Sequence, residues 1–156
     1  MGNHDTDRIE KEIVLHAPPS RVWRALADAE EFGNWFRVNM NGNFAPGARV
    51  TGQITHPGYE HLTMDITIEK MEPERLISWR WHPNAIEPDT DYSGEPTTLV
   101  VFELEKVKQG TKLTVVESGF DRIPLARRAE AYRGNDEGWT IQMKQIEQYV
   151  ADSGAR

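Results

Sequence analysis

The C-terminal third of the chain most constrains its fold, because a strand pattern there is followed by the pattern of a long amphipathic helix. The strand is predicted from the alternating segment TKLTVVES, which begins at Thr111. After a bend, the helix is predicted to begin near Asn135, a good capping residue. Its apolar stripe consists of Trp139, Met143, Ile146 and Val150. About sixteen residues give roughly 24 Å of helix, enough to cross a sheet of about six strands.

The middle of the chain predicts that sheet. From Arg49 onward, apolar residues recur at every second position, and polar residues take most of the positions between them. The residues that share the apolar face are Val50, Gly52 and Ile54; Leu62, Met64, Ile66 and Ile68; Ile77, Trp79 and Trp81; Val100, Phe102 and Leu104; and Leu113 and Val115. One apolar and one polar face predict an antiparallel sheet covered on one side only. We expect the C-terminal helix to cover that side and to leave an apolar hollow beneath it.

The N-terminal part predicts one more strand and two short helices. Residues 8–17 are rich in β-branched residues and read as a strand. Pro18 and Pro19 end it, and Ser20 is a candidate cap for the first helix. The segment AEEFGNWF predicts a second helix that Gly33 breaks. Hairpin turns are predicted at residues 72–74 and 108–110, and a longer, mobile loop at residues 82–96.

Length and composition limit the class of protein. The 156 residues fit a single domain, which we place at residues 8–152 after a disordered N-terminus of residues 1–7. The absence of cysteine excludes thiol catalysis and thiolate zinc sites, and it suits a reducing compartment. The net charge of -7 argues against binding to nucleic acid or to an anionic membrane. With no leader pattern and no apolar run of about 18 residues, we expect a cytoplasmic protein without stable membrane association.

Four segments, in this order, give the chain a resemblance to a known family. They are APPSRVWRALADAEEFGNWF, ISWRWHP, TKLTVVESGFD and NDEGW. From about residue 9 to residue 150, the chain resembles the START-like superfamily, also called SRPBCC or birch-pollen-allergen-like. Within it, the chain is similar to the activator of heat shock protein 90 ATPase homologue family.

The resemblance implies an α+β helix-grip fold with a cavity under the long helix. In that fold, a curved antiparallel sheet of about six strands carries two short helices, and the long C-terminal helix lies over its concave face. The resemblance implies no catalytic set, because members of this family differ widely in role. Since the family is named for a co-chaperone, a chaperone partner and a role in the stress response are further possibilities.

Aromatic, methionine and acidic residues supply the candidate ligand contacts. Aromatic side chains bury large areas and methionine adapts to irregular partners, so the mixture suits a plastic apolar pocket. The predicted ligand-binding residues are Trp35, Phe36, Met64, Trp79, Trp81, Phe102, Glu117, Phe120, Trp139 and Met143, with Met40 and Phe44 as neighbours of the same type. The alternative is that these residues form an ordinary dry core.

Glu117 is the polar member of this set. The alternation of the last strand places it on the inward face, so its carboxylate is expected to point toward the hollow or its rim. It would orient a ligand as a hydrogen-bond acceptor, or serve as a general base if the protein is an enzyme. The alternative is a salt bridge at the rim with Arg49 or Arg122. Trp79 and Trp81 are predicted to supply indole donors at the same depth, so that a polar ligand head is held between them.

No motif predicts a metal, a cofactor or a catalytic set. The segment DTDYSG imitates the start of a calcium loop with Asp89 and Asp91, but Val100 occupies the position that needs a bidentate Glu. His56 and His61 have no third ligand nearby in the sequence. The motifs GxSxG, HExxH, GxGxxG and the P-loop are absent. We therefore expect neither a metal nor a cofactor.

The sequence thus favours a binding domain without catalysis. We expect it to hold a small apolar or amphipathic ligand, such as a lipid, in a hydrophobic cavity between the sheet and the C-terminal helix. A cyclase- or hydrolase-type enzyme that uses the same cavity is one alternative. A co-chaperone-like interaction protein is the other.

Overall fold

The computed structural model describes residues 7–85 and 90–154, with side chains as far as residue 151. Along the chain the elements are β1 (Arg8–Leu15), α1 (Pro19–Ala27), α2 (Ala29–Phe36), β2 (Val38–Met40), β3 (Arg49–Ile54), β4 (Thr63–Glu72), β5 (Leu76–Trp81), β6 (Thr98–Val107), β7 (Gly110–Ser118), a 3-10 turn (Phe120–Arg122) and α3 (Leu125–Gly154). The predicted disordered N-terminus, apart from Asp7, lies outside the described residues. So do residues 86–89 of the predicted mobile loop.

The strands form one antiparallel sheet in the order β1-β7-β6-β5-β4-β3-β2. In β4, β6 and β7, buried positions alternate with more exposed ones, as the period-two pattern predicted. The buried face of the sheet and the buried residues of the three helices form one hydrophobic core. The predicted α+β helix-grip architecture, with two short helices and a long C-terminal helix, is confirmed.

Within the part of the chain that the structure describes, the sheet has seven strands, whereas the sequence predicted about six. The additional strand is β2, which pairs with β3 at the edge of the sheet. Its three residues are too few to show an alternation, so the sequence pattern carries no signal for it. Gly52 in β3 permits the pairing, because a Cβ there would lie 2.7 Å from the carbonyl oxygen of Asn39.

The caps of the two short helices differ from the sequence prediction. Pro18 precedes α1 and Pro19 occupies its first turn, whereas Ser20 lies inside the helix and forms no capping hydrogen bond. The cap of α2 is Asp28, whose carboxylate accepts hydrogen bonds from two backbone N–H groups at 3.0 Å. Capping by Asp28 lets α2 begin directly after α1.

Gly33 does not break α2, which continues to Phe36. Its role is steric, since a Cβ at this position would lie 2.2 Å from the carbonyl oxygen of Val38. No side chain fits between α2 and the first residue of β2. The glycine therefore sets how closely the helix approaches the sheet edge, which explains why a helix-weakening residue stands there.

The C-terminal helix is thirty residues long and begins at Leu125, not near Asn135 as predicted. The basic segment at residues 126–133 forms its first turns, because alanine, arginine and glutamate there are good helix formers. Asn135 lies inside the helix, where its side chain bonds to the sheet instead of capping. The predicted apolar stripe is confirmed: Trp139, Met143, Ile146 and Val150 are all buried. No helix of the described residues is long and apolar enough to cross a membrane.

An ionic cluster around Glu31 ties the C-terminal half of α3 to the two short helices. The Glu31 carboxylate accepts hydrogen bonds from Arg21 at 2.8 Å, Arg24 at 2.9 Å and the Tyr149 hydroxyl at 3.0 Å. Gln145 adds a bond of 2.7 Å to the backbone oxygen of Trp35. Burial acts to raise the pKa of Glu31, but the bonds from Arg24 and Tyr149 and the charge of Arg21 outweigh it and lower the pKa.

Gly33→Ala is expected to lower the free energy of unfolding by about 1–3 kcal/mol, because the new methyl group forces β2 away from α2. Gly138→Ala is the matched control, since Gly138 is also helical and its Cβ would meet nothing within 4 Å. Helix propensity predicts that the control gains up to about 1 kcal/mol. Urea denaturation measures both variants, and equal stabilities would contradict the close approach at Gly33.

Glu31→Gln is expected to reduce stability at neutral pH and to make little difference in acid. A lowered folded-state pKa means that the stabilisation is fully present above the ordinary value of 4.5 and is lost as the pH falls through the folded value. Urea denaturation over a pH series measures the difference between variant and parent. Glu147→Gln, at an exposed position of α3, is the control. A difference for Glu31→Gln that stays constant down to about pH 3 would show that the charge of Glu31 is not responsible.

Candidate functional site

A cleft of about 120 Å³ opens where α3 crosses the end of α2 and the end of β5. Its lining residues are Phe36, Trp81, Asn135, Gly138, Trp139 and Gln142. Three of these are aromatic, and they contact one another: the ring centroids lie 6.4 Å apart for Phe36 and Trp81, 6.2 Å for Phe36 and Trp139, and 5.9 Å for the two indoles. The predicted residues Phe36, Trp81 and Trp139 thus share one site.

The carboxylate of Glu117 lies directly behind this cleft and is completely buried. Its Oε2 atom accepts hydrogen bonds from Trp81 Nε1 at 2.7 Å and from Thr98 Oγ1 at 2.5 Å. Its Oε1 atom accepts one from Trp139 Nε1 at 2.8 Å. The Asn135 Nδ2 atom is 2.9 Å and 3.0 Å from the two oxygens and bridges them. The inward orientation predicted from the alternation of β7 is what the structure shows.

The partners of Glu117 are neutral hydrogen-bond donors. An ionised carboxylate accepts about four hydrogen bonds and donates none, which matches the four side chains around it. Among the described residues, no basic side chain forms an ion pair with Glu117. The expected alternative of a salt bridge is therefore wrong: Arg49 pairs with Asp65, which raises the pKa of that guanidinium, and Arg122 is exposed.

The indole that accompanies Trp81 is that of Trp139, not that of Trp79 as predicted. Trp79 lies deeper, with only 1% of its surface exposed, and its ring stands 4.8 Å from that of Trp81. The indole N–H groups of Trp81 and Trp139 both point to Glu117, so neither is available to a ligand head. The sequence could not show this, because the helical residue lies 22 positions from Glu117 in the chain.

The other predicted residues line the interior of the domain. Trp35, Met64, Trp79, Phe102, Phe120 and Met143 are all buried, as is the neighbouring Phe44. The ring of Phe32, which the sequence analysis did not single out, contacts those of Trp35, Phe36, Phe44 and Trp79. Phe120 lies apart from this group and packs on Tyr132, with centroids 5.2 Å apart. The space between sheet and α3 is thus filled largely by aromatic rings, and the cleft lies at its margin.

Asn135, Gly138 and Gln142 are cleft residues that the sequence analysis missed. Their spacings of three and four place them on one face of α3, beside Trp139. This spacing identifies the three residues only if the helix begins at Leu125. If the helix began near Asn135, as predicted, Asn135 would be its cap and would not lie on a helix face. Gln142 accepts a hydrogen bond from Gln145 and donates to the backbone oxygen of Phe36 at 3.4 Å.

The remaining candidates do not join the site. The Ser93 hydroxyl and then the Ser93 backbone N–H, at 3.0 Å, hydrogen-bond to Asp91 and lower the pKa of that carboxyl. Asp89 lies outside the described residues. The ring of His56 stands 5.4 Å from that of Tyr59 at the surface. Within residues 7–85 and 90–154, no three His, Asp or Glu side chains are grouped to hold a metal ion.

Glu117→Gln is expected to lower the free energy of unfolding by about 2–4 kcal/mol, because in either orientation the new amide nitrogen faces an indole N–H, which only donates, and the charge-assisted bonds are lost. Glu103→Gln is the matched control, since Glu103 is an exposed carboxylate on the adjacent strand β6. It is expected to change stability by no more than about 0.5 kcal/mol. Urea denaturation at neutral pH measures both variants. Equal stabilities would show that the bonds to Glu117 contribute little.

Solved structures share this fold. The protein MLL2253 from Mesorhizobium loti is 23% identical, has a TM-score of 0.73, and is matched over 93% of this chain and 97% of that chain. The protein NE0264 from Nitrosomonas europaea is 20% identical, with a TM-score of 0.74 and coverage of 97% and 98%. The Aha1 dimer from Colwellia psychrerythraea, solved in solution, is 18% identical, with a TM-score of 0.65 and coverage of 90% and 92%. These likenesses show the fold alone.

The amino-acid sequence itself also matches a protein family. A search of curated proteins found no match. The model of the family described as Activator of Hsp90 ATPase homolog 1-like protein matches residues 16–151, which is most of the chain. The chain therefore belongs to the family of Activator of Hsp90 ATPase homolog 1-like proteins, as the sequence resemblance predicted.

Proposed function

We propose that this protein is a small-molecule-binding domain whose ligand is apolar or amphipathic and enters between the sheet and α3. The observation that carries the proposal is the cleft at the margin of the aromatic interior, where the rings of Phe36, Trp81 and Trp139 meet. Aromatic walls with a few fixed polar groups are typical of ligand sites. Helix α3 forms one wall, as the helix-grip architecture requires.

The size of the cleft limits what it holds. A volume of about 120 Å³ is somewhat smaller than the engineered cavity of ~150 Å³ that binds benzene, and well below the ~300–1,000 Å³ of sites for drug-sized ligands. The cleft therefore accommodates a small ligand, or one head group of a larger one. The rest of an amphipathic ligand lies along the surface, unless α3 shifts away from the sheet and opens the interior at Met64 and Met143.

The polar groups around the cleft favour binding over acid–base catalysis. The lone pairs of Glu117 are taken up by protein side chains, so this carboxylate has no free position from which to remove a substrate proton. Asn135 and Gln142, the other polar lining residues, carry amide groups that do not exchange protons near neutral pH. We therefore assign Glu117 the task of fixing the indoles that form the walls.

Gly138→Leu is expected to weaken ligand binding strongly without unfolding the protein. A side chain at this position grows into the space of the cleft, since a Cβ there meets no atom within 4 Å. The parent protein is titrated with Nile red and a series of straight-chain alkanols, and tryptophan fluorescence reports binding at Trp81 and Trp139. Affinity for the compounds that bind the parent should fall by about tenfold or more in the variant.

Glu137→Leu is the control for this experiment, because it adds the same side chain at the next, exposed position of α3. It should bind as the parent does. Failure of the whole panel to give a saturable response, or equal affinities of parent and Gly138→Leu, would contradict the binding function. Chemical conversion of a bound compound would indicate the enzyme alternative. Capture of a large ATPase by both the parent and Gly138→Leu would indicate the co-chaperone alternative.

A further inference from the structure

We infer that the cleft selects a positively charged head group, such as a methylated ammonium ion, over neutral and anionic groups of the same shape. This inference rests on the proposed binding function and specifies the ligand of the same cleft. It follows from the hydrogen-bond directions, the aromatic walls and the charge behind them.

The indole and asparagine N–H groups of the cleft are not available to a ligand. The N–H groups of Trp81, Trp139 and Asn135 all donate to Glu117. The amide nitrogen of Gln142 is directed to the backbone oxygen of Phe36. An anionic head group requires several such donors. The N–H groups of Trp81, Trp139 and Asn135 are committed to Glu117, and the second N–H of Gln142 alone does not satisfy an anion.

The groups of the cleft that remain available to a ligand are electron-rich. The amide nitrogen of Asn135 is turned toward Glu117, so its oxygen is turned the other way, and no described residue donates a hydrogen bond to that oxygen. The remaining walls are the rings of Phe36, Trp81 and Trp139. Ring faces carry negative electrostatic potential and attract cations, and tryptophan does so most strongly.

Glu117 makes the indole rings of Trp81 and Trp139 better binders of cations. An indole that donates its N–H to a carboxylate is polarised, because the anion pushes electron density into the ring. Both indoles of the cleft are bonded in this way, at 2.7 Å and 2.8 Å. Among the described residues, no basic side chain forms an ion pair with Glu117. Its negative charge, which lies directly behind the indoles of Trp81 and Trp139, is therefore not balanced by a positive charge. A cation in the cleft supplies the missing opposite charge at short range in a poorly solvated place.

The walls of the cleft also favour one chemical form of cation. A primary ammonium ion needs several hydrogen-bond acceptors, and the cleft offers few. A methylated ammonium ion needs none, and its methyl groups spread the charge over an apolar surface that matches aromatic walls. The cleft of about 120 Å³ is of a suitable size for such a group. The net charge of -7 also attracts cations to the protein from a distance.

The test compares choline with its uncharged carbon analogue, in which a tert-butyl group replaces the trimethylammonium group. A third probe of similar shape is the anion of tert-butylacetic acid, called tert-butylacetate below, which carries a negative charge on its carboxylate. Isothermal titration calorimetry on the intact protein measures all three at low salt. We expect choline to bind roughly tenfold or more tightly than the neutral analogue, and tert-butylacetate to bind least.

Two variants locate the effect. Trp81→Leu removes one aromatic wall and should abolish the preference for choline. Trp23→Leu is the matched control, because Trp23 is a half-buried tryptophan on α1 that does not line the cleft, and it should keep the preference. Circular dichroism confirms that each variant is folded.

The outcomes separate this inference from the binding function on which it rests. Equal or tighter binding of the neutral or the anionic probe, or no binding of choline, overturns the cationic preference. If Nile red or an alkanol still binds in that case and loses affinity in Gly138→Leu, the binding function stands with a different ligand class. If neither panel binds, both proposals are wrong. A choline preference that survives in Trp81→Leu would place the cation elsewhere and would also overturn the inference.

Discussion

The hydrogen bonds to the buried carboxylate of Glu117 fix the long helix against the sheet. They join β7 to β5, β6 and α3, so one side chain connects the long helix to three neighbouring strands. A buried carboxylate is costly unless its oxygens are hydrogen-bonded, and neutral donors satisfy it only when they are held in place. The surrounding aromatic packing holds them. The position of α3 and the polarity of the cleft both follow from this arrangement.

The aromatic interior explains why the accessible space is at the margin. The rings between sheet and helix contact one another edge to face and stacked, as close-packed cores do, and they leave no need for a guest molecule to complete the fold. Beside the end of α2, Gly138 of α3 carries no side chain, and of the three aromatic rings that line the cleft only that of Trp81 is partly exposed. The ligand site that we propose is therefore a shallow one, with rigid walls and a fixed charge behind them.

The sequence predicted the parts of this arrangement that depend on local patterns. Period-two alternation located the principal strands and oriented Glu117 inward, and the apolar stripe of the helix was correct from Trp139 onward. The true start of α3 was missed because Asn135 has the local preference of a cap, and that preference is overridden by its contact with Glu117. The strand β2 was missed because it is too short to show a period. The donors to Glu117 could not be assigned, since they come from distant elements and depend on packing.

Nuclear magnetic resonance of the tryptophan indoles tests whether Glu117 holds the walls of the cleft. In a proton–nitrogen correlation spectrum, an indole N–H that donates to a buried carboxylate resonates far downfield and exchanges slowly with solvent. The account predicts this behaviour for Trp81 and Trp139, with both signals moving during ligand titration while that of Trp23 stays in place. Signals for Trp81 and Trp139 that exchange as fast as that of Trp23, and that no ligand displaces, would contradict it.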